Sequence, residues 1–273
     1  MKMFLSGIEM RPLVLRPGML WGLLSYYYLK NHDTFERALD YHEELIIDSG
    51  AHSFQTGKKV EWEKYTNQYA EWIAKKDNKK IVGFFEMDVD NMLGYERVLR
   101  LREILESASK KIIPVWHKNR GIDDYFKMTK EFSGRVVAIS GFVNQDIRDS
   151  QYINFLKVAW DNGCKLHALG MTRKEILDSV PFDYTDSISW LAGEFYGRFE
   201  DGMKFRKGKG ITKEKQEWLY FVARKQQESY YLKWMNYREN YLRRKYEREN
   251  SDPVGKKNKV SETSERRETG NLF

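Results

Sequence analysis

A single cysteine, Cys164, is all the thiol that this 273-residue chain holds. That excludes an internal disulfide and a cysteine-rich zinc site. No apolar run approaches the roughly 20 residues that a membrane helix needs, and the N-terminus lacks a signal-peptide layout. The expectation is a protein with no membrane partner in a reducing, cytoplasmic setting. A G-x-G-x-x-G after the first strand, a Walker loop and any His-x-His pair are missing too, so no nucleotide cofactor and no metal are expected. Core material is plentiful: 41% of the residues are hydrophobic and 15% aromatic, enough for one large α/β domain plus a tail.

The net charge of +7 is uneven. Residues 204–273 carry a net +9 and residues 1–203 a net −2. A basic tail on a mildly acidic body favours an electrostatic partner such as nucleic acid; the blander reading is a solvated helix with a charged, disordered end.

Leu45-Ile46-Ile47-Asp48-Ser49-Gly50 sets the pattern for the body. An apolar, β-branched run reads as a buried parallel strand, and it stops at a carboxylate. Strands of this kind also fit Met3–Gly7, Ile81–Asp90, Ile112–His117, Val136–Phe142, Lys165–Gly170 and Phe182–Ile188. Between them, helical spacing falls on 60–76, 93–105, 123–132, 153–160 and 173–179, the last capped by Thr172 with Glu175 in the capping-box position. Such alternation means a parallel sheet, and six or seven units favour a (β/α)₈ TIM-type barrel over a doubly wound open sheet. The eighth strand is hard to find: the stretch holding Trp21, Leu23 and Tyr26–Tyr28 reads as helix or loop, and Phe199–Lys209 as a hairpin or exposed loop. The expected domains are a barrel over 1–203, a basic, aromatic-rich helical extension over 204–250 and a disordered tail over 251–273.

In a parallel barrel, strand ends meet at one face. Asp48, the Glu86/Asp88/Asp90 group and Asp183/Asp186 would converge there. Like charges raise one another's pKa, so the cluster asks for a reason. A divalent-metal site, a carboxylate nucleophile with a separate acid/base and recognition of a base edge are the three considered.

These residues carry a resemblance. Leu45–Phe54 resembles the strand and Asp-Ser-Gly motif of the queuine/archaeosine tRNA-guanine transglycosylases, and Phe84–Asp88 their next strand, which ends in a base-reading aspartate. Ile113–His117 is similar to a strand that ends there in glutamine, and Ala138–Phe142 to their Gly-Gly-Leu loop. The clearest stretch runs from His167-Ala168-Leu169-Gly170-Met171-Thr172 to Asp183-Tyr184-Thr185-Asp186-Ser187, resembling their Gly-Thr segment and the strand bearing the nucleophile. Departures are informative. The tRNA enzymes carry a Cys₃His zinc subdomain that this chain cannot build. His117 replaces the glutamine, Ser140-Gly141 replaces Gly-Gly, and His52 stands where an aromatic residue often stacks on the base. The short, zinc-free, basic-tailed form looks more like the DNA-acting relatives of phage and bacterial 7-deazaguanine DNA modification, which favours DNA over tRNA and, for a phage protein, the host cytoplasm.

The resemblance implies that Asp186 attacks C1′ of a guanosine, that Asp48 is the general acid/base, and that Asp88 accepts from the guanine N1–H and amine. His117, Ser140, Gly141, His52 and Gly170 would complete the base site. A 7-deazaguanine would be the incoming base, and a homodimer or helper proteins are possible partners. Structural readings stand beside these. Asp48 suits a turn or cap as well as it suits catalysis, Asp186 and Asp90 suit caps, His117 and His167 suit structural hydrogen bonds, Asp183 suits a strand start, and Cys164 suits a small buried filler. Rival functions are a metal-dependent barrel hydrolase, with Asp48, Asp88, His117 and His167 as ligands, and a non-catalytic nucleic-acid-binding protein that works through its tail.

Overall fold

A computed structural model describes residues 1–29, 34–54, 60–140, 147–191 and 212–251. Its parallel strands are β1 (Lys2–Ser6), β2 (Met19–Ser25), β3 (His42–Asp48), β4 (Ile81–Phe85), β5 (Ile112–Ile113), β6 (Val115–Trp116), β7 (Val136–Ser140), β8 (Lys165–Leu169) and β9 (Tyr184–Ser187). They lie in the order β5-β4-β3-β2-β1-β9-β8-β7-β6. The two outermost members, β5 and β6, are consecutive pieces of one stave split at Pro114. One piece pairs with β4 and the other with β7. The sheet therefore curls round on itself as a nearly closed TIM-type barrel.

The missing stave is β2. Its sequence, Met-Leu-Trp-Gly-Leu-Leu-Ser, is buried almost throughout, so no polar alternation marks it as a strand. Gly22 in its middle looks like a breaker, yet a side chain there would collide with the His42 ring, 2.7 Å from the Cβ position. The helical reading of this stretch and the search for the last strand at 199–209 both miss it; 199–209, like the tail 252–273 and Gly141, lies outside the described residues.

Pro114 has no N–H to offer the ladder, and the Val115 N–H at the split needs another acceptor. It donates to Glu86 Oε1 at 2.6 Å. Glu86 is fully buried and held by Arg102 Nε at 2.5 Å and Nη2 at 3.2 Å. The expected Glu86/Asp88/Asp90 group thus splits: Glu86 faces the helix layer and mends the barrel seam.

Phe4, Trp21, Leu23, Ile46, Phe85, Ile113, Val115, Ala138 and Tyr184 fill the barrel. Two larger apolar clusters lie between sheet and helices. The helices are α1 (Tyr26–Leu29), α2 (Thr34–Tyr41), α3 (Trp62–Lys76), α4 (Asp90–Leu93), α5 (Tyr95–Ala108), α6 (Ile122–Glu131), α7 (Tyr152–Asp161), α8 (Lys174–Ser179), α9 (Lys213–Trp234) and α10 (Tyr237–Ser251). The N-cap of α8 is Arg173, without a side-chain cap bond, so Thr172 does not cap it. Thr212 does cap α9, accepting from the Lys215 N–H.

α9 belongs to the barrel's fabric. Leu219, Tyr220, Ala223 and Tyr230 are buried in the two outer clusters. Gln227 donates its amide to the carbonyls of Met3 and Trp21 at 2.7 and 2.9 Å. Its other faces leave Phe221 and Leu232 exposed, so the aromatic stripe is only partly a packing face. After the left-handed Asn236, α10 runs along the N-terminal ends of the strands. Arg238 donates to the Cys164 carbonyl at 3.1 Å and approaches Asp183 at 3.6 Å; Tyr241 and Lys245 reach Asp161. Cys164 itself is buried, as expected of a small filler.

Removing one partner of a buried ion pair strands the other charge. Glu86→Gln should therefore cost about 3–5 kcal/mol in urea unfolding; a loss below about 1 kcal/mol would mean that the seam does not depend on this carboxylate.

Candidate active site

Strand periodicity sorts side chains into two sets, one pointing into the barrel and one into the helices. Register then fixes which inward residues share the C-terminal mouth. Ser25 ends β2 opposite Asp48, which ends β3. Asp186 on β9 lies beside Phe4 on β1, and Ser6 is two residues further along β1. Asp88 follows β4, His117 follows β6, and Ser140 closes β7.

Asp48 accepts the Gly50 N–H at 2.8 Å. Gly50 has φ +77, and a Cβ there would sit 2.4 Å from Tyr27 and 3.0 Å from the Ser25 hydroxyl; glycine alone permits this tight turn. Burial pushes the Asp48 carboxyl up to about 6. The charges of Asp88 and Asp186 add to the rise, and the Gly50 N–H and Ser25 hydroxyl oppose it. Asp48 thus feels the other two acids directly, so residues 48, 88 and 186 meet at one mouth.

Asp186 is held at a fixed angle. Its Oδ1 accepts from His167 Nε2 and from the Gly170 N–H, each at 2.9 Å, and its Oδ2 accepts from Ser6 Oγ at 3.3 Å. Gly170 has φ +59, which aims that N–H back at the carboxylate. The His167 ring is fully buried at the boundary of the apolar interior, 5.0 Å from the Phe85 ring. Asp186 is therefore a strand residue supported by three donors, and the cap reading does not apply.

Asp88 is the most exposed of the three, at 30% of its side chain. It binds His117 through Oδ1. Burial opposes charge on His117, but the Asp88 hydrogen bond with the charges of Asp88 and Asp90 outweighs it, and the imidazole pKa lies above its ordinary value. Asp90 opens α4 and meets Arg120 Nε at 3.1 Å, with that guanidinium stacked 4.0 Å from the Tyr95 ring.

Asp183 is not at this end. It precedes β9, three residues and about 10 Å of strand from Asp186, and ties the opposite rim together by accepting from Trp160 Nε1 at 2.7 Å and the Leu166 N–H at 2.8 Å. His52 lies exposed on the short 3-10 turn Ala51–Phe54, with no contact to the acids. Of the tyrosine run, Tyr26 is core, stacked 4.7 Å from Tyr69.

Sequence reasoning missed Ser6 and Ser25. Ser6 carries the same signal as Asp48, an apolar strand ending in a polar residue before glycine. Ser25 was hidden with its strand.

Among the described residues, Asp88, Asp90 and His117 have ligand atoms within 4.8 Å of one another, close enough to hold a metal ion. Arg120 already supplies a cation to Asp90 there, and neither Asp48 nor His167 belongs to the group. Hollows also open at the far rim; one of about 340 Å³ is lined by Glu44, Lys111, Arg135, Lys165 and Tyr184. It is remote from the acids. Comparison of the chain with protein-family models, curated proteins and solved structures returned no match.

The raised Asp48 pKa has a stability consequence. A carboxyl near 4 in the unfolded chain and about 6 when folded binds more protons in the native state, so its contribution to folding is whole below pH 4 and is lost as pH rises through 6. Asp48→Asn should stabilise the fold by about 2–3 kcal/mol at pH 8 and by nothing at pH 4, read from denaturation midpoints at the two pH values.

Proposed function

We propose that the chain is a guanine transglycosylase that exchanges a guanine in nucleic acid for a 7-deazaguanine through a covalent aspartyl–sugar intermediate. The observation that carries this reading is the meeting of Asp48, Asp88 and Asp186 at one mouth in three different states. Asp48 is pushed to about 6 by burial and by the two other charges. Asp186 is fixed by three donors. Asp88 is half-exposed with one oxygen engaged by His117. Environments that drive paired carboxylates apart mark an acid/base and a nucleophile.

In this reading Asp186 attacks C1′ and the bond from C1′ to the guanine nitrogen breaks. Asp48 gives its proton to the departing base. The incoming base returns a proton to Asp48 as its nitrogen attacks C1′ and frees Asp186. Asp88 Oδ2 takes the N1–H and amine edge of the purine. His117, engaged with Asp88, orients that carboxylate rather than reaching for the base itself. Ser140, at the end of β7, and Gly170, just after β8, belong to the same end of the barrel. A duplex target must be unstacked first, at a cost of a few kcal/mol. DNA remains favoured over tRNA because the chain has no cysteine set for the zinc subdomain.

The Asp88/Asp90/His117 spacing supports a second reading, a metal-dependent hydrolase. Exchange of labelled guanine in DNA and in tRNA, with and without EDTA, separates the two. The first reading expects EDTA-resistant exchange and a DNA adduct on a denaturing gel with wild-type protein, and neither with Asp186→Ala. Full exchange by Asp186→Ala would end the role given to that residue. Nucleic-acid binding unaffected by Asp186→Ala, abolished by deleting 252–273 and accompanied by no exchange would favour the binding-protein reading.

A further inference from the structure

The interior of a parallel barrel is ordinarily filled by layers of branched apolar side chains. At the N-terminal end of this barrel the innermost layer is charged instead. Phe4, Ile46, Ala138 and Leu169 pack inside, so alternation turns Lys2 on β1, Glu44 on β3, Val136 on β7 and Lys165 on β8 inward as well. Tyr184 on β9 is itself an inner residue. The hollow of about 340 Å³ opens against this layer, and Lys110, Lys111 and Arg135 form its outer wall. That is room enough for a small ligand.

The charges around it do not cancel. Lys2 Nζ holds Glu44 Oε1 at 2.6 Å, Lys111 holds Asp77 at 2.7 Å and Arg135 holds Glu106 at 2.9 Å. Lys165 donates to the Tyr184 hydroxyl at 3.0 Å. Among the described residues, neither Lys165 nor the exposed Lys110 forms an ion pair. Asp183 senses the Lys165 charge, but its carboxylate is engaged by Trp160 and the Leu166 N–H. Two ammonium groups thus line one hollow without a carboxylate of their own.

We infer that this hollow binds a small phosphomonoester, its phosphate between Lys110 and Lys165 and its organic part against Val82, Ile112 and Val136. A phosphomonoester carries about two negative charges at pH 7, which matches the two uncompensated cations. Lysines grip phosphate as point charges, and Tyr184 adds a directional donor. Its oxygen accepts from Lys165, so its own O–H can turn to a phosphate oxygen. Burial lifts the Tyr184 pKa above its ordinary value, the Glu44 charge adding to the rise and Lys2 opposing it, so that proton stays in place. Val82 and Val136 pack on the inner cluster, and Ile112 is buried, giving the rest of the ligand an apolar wall.

The position of the hollow has a mechanical consequence. Ile112 opens β5, Val136 opens β7 and Lys165 opens β8, and Arg135 already donates to the Ile112 carbonyl at 2.8 Å. A ligand held there spans both flanks of the split stave. Binding only the folded barrel, it should stabilise it. The site lies at the end opposite the acids and does not rest on the transglycosylase reading.

The test is calorimetric titration of the full chain with phenyl phosphate at fixed ionic strength, paired with thermal unfolding. One saturable site is expected, with a rise in Tm that sodium chloride at the same ionic strength does not produce. Lys110→Ala and Lys165→Ala should each weaken Kd about tenfold. Lys110 is exposed and unpaired, so its variant keeps the test alive even if Lys165→Ala does not fold. No saturable binding, or a Kd unmoved by Lys110→Ala, overturns the inference. Displacement of bound phenyl phosphate by a short single-stranded oligonucleotide would overturn the small-ligand assignment and give the hollow to a backbone phosphate.

Discussion

Everything at the mouth depends on a repair at Pro114. A strand split by a residue without an N–H would leave β5 and β6 as the two edges of an open sheet. Glu86 bridges the gap by accepting the Val115 N–H, and Arg102 makes its burial tolerable. With the stave continuous, residues at the ends of β3, β4, β6 and β9 face one another across a single opening. An open sheet would carry Asp88 on one wing and His117 on the other, and their contact would be lost.

Closure then creates a second problem, the crowding of Asp48, Asp88 and Asp186. The structure answers each acid differently. Donors support Asp186, a histidine partner supports Asp88, and Asp48 receives burial with little compensation. An acid left without support keeps its proton into the pH range where proton transfer is useful. That difference is a better guide to role than the presence of three acids, because a purely structural cluster would be neutralised evenly.

Seven of the eight staves were legible as apolar runs, four of them with helical periodicity on both sides. β2 was not, since a strand buried on both faces and interrupted by Gly22 has neither alternation nor an obvious end. The three central acids were legible as a pattern that repeats, strand then carboxylate. Pattern alone could not separate Asp183 from Asp186, which differ by half a barrel height. Nor could it say that Glu86 pointed outward; that follows only once Phe85 is placed inside the barrel and Phe84 against the helices, since alternation then puts Glu86 on the side of Phe84. Ser25 is visible only once the strands are placed, being joined to Asp48 by register across β2 and β3 and by no motif.

The charge asymmetry that first suggested a polynucleotide also changes meaning once located. α10 carries five of the ten Lys and Arg residues in 212–251, yet it packs on the rim opposite the acids, where Arg238 and Lys245 meet Asp183 and Asp161. Its cations are too far from the mouth to hold phosphates flanking a base lodged there. An acidic opening repels a polyanion, so the compensating cations have to stand on the loops that surround it. Lys118 after β6, Arg148 before α7 and Arg173 after β8 are on that side. If the base-exchange reading holds, those three, rather than the basic helix, would be the residues to grip the backbone, whereas the helix braces the far end of the barrel.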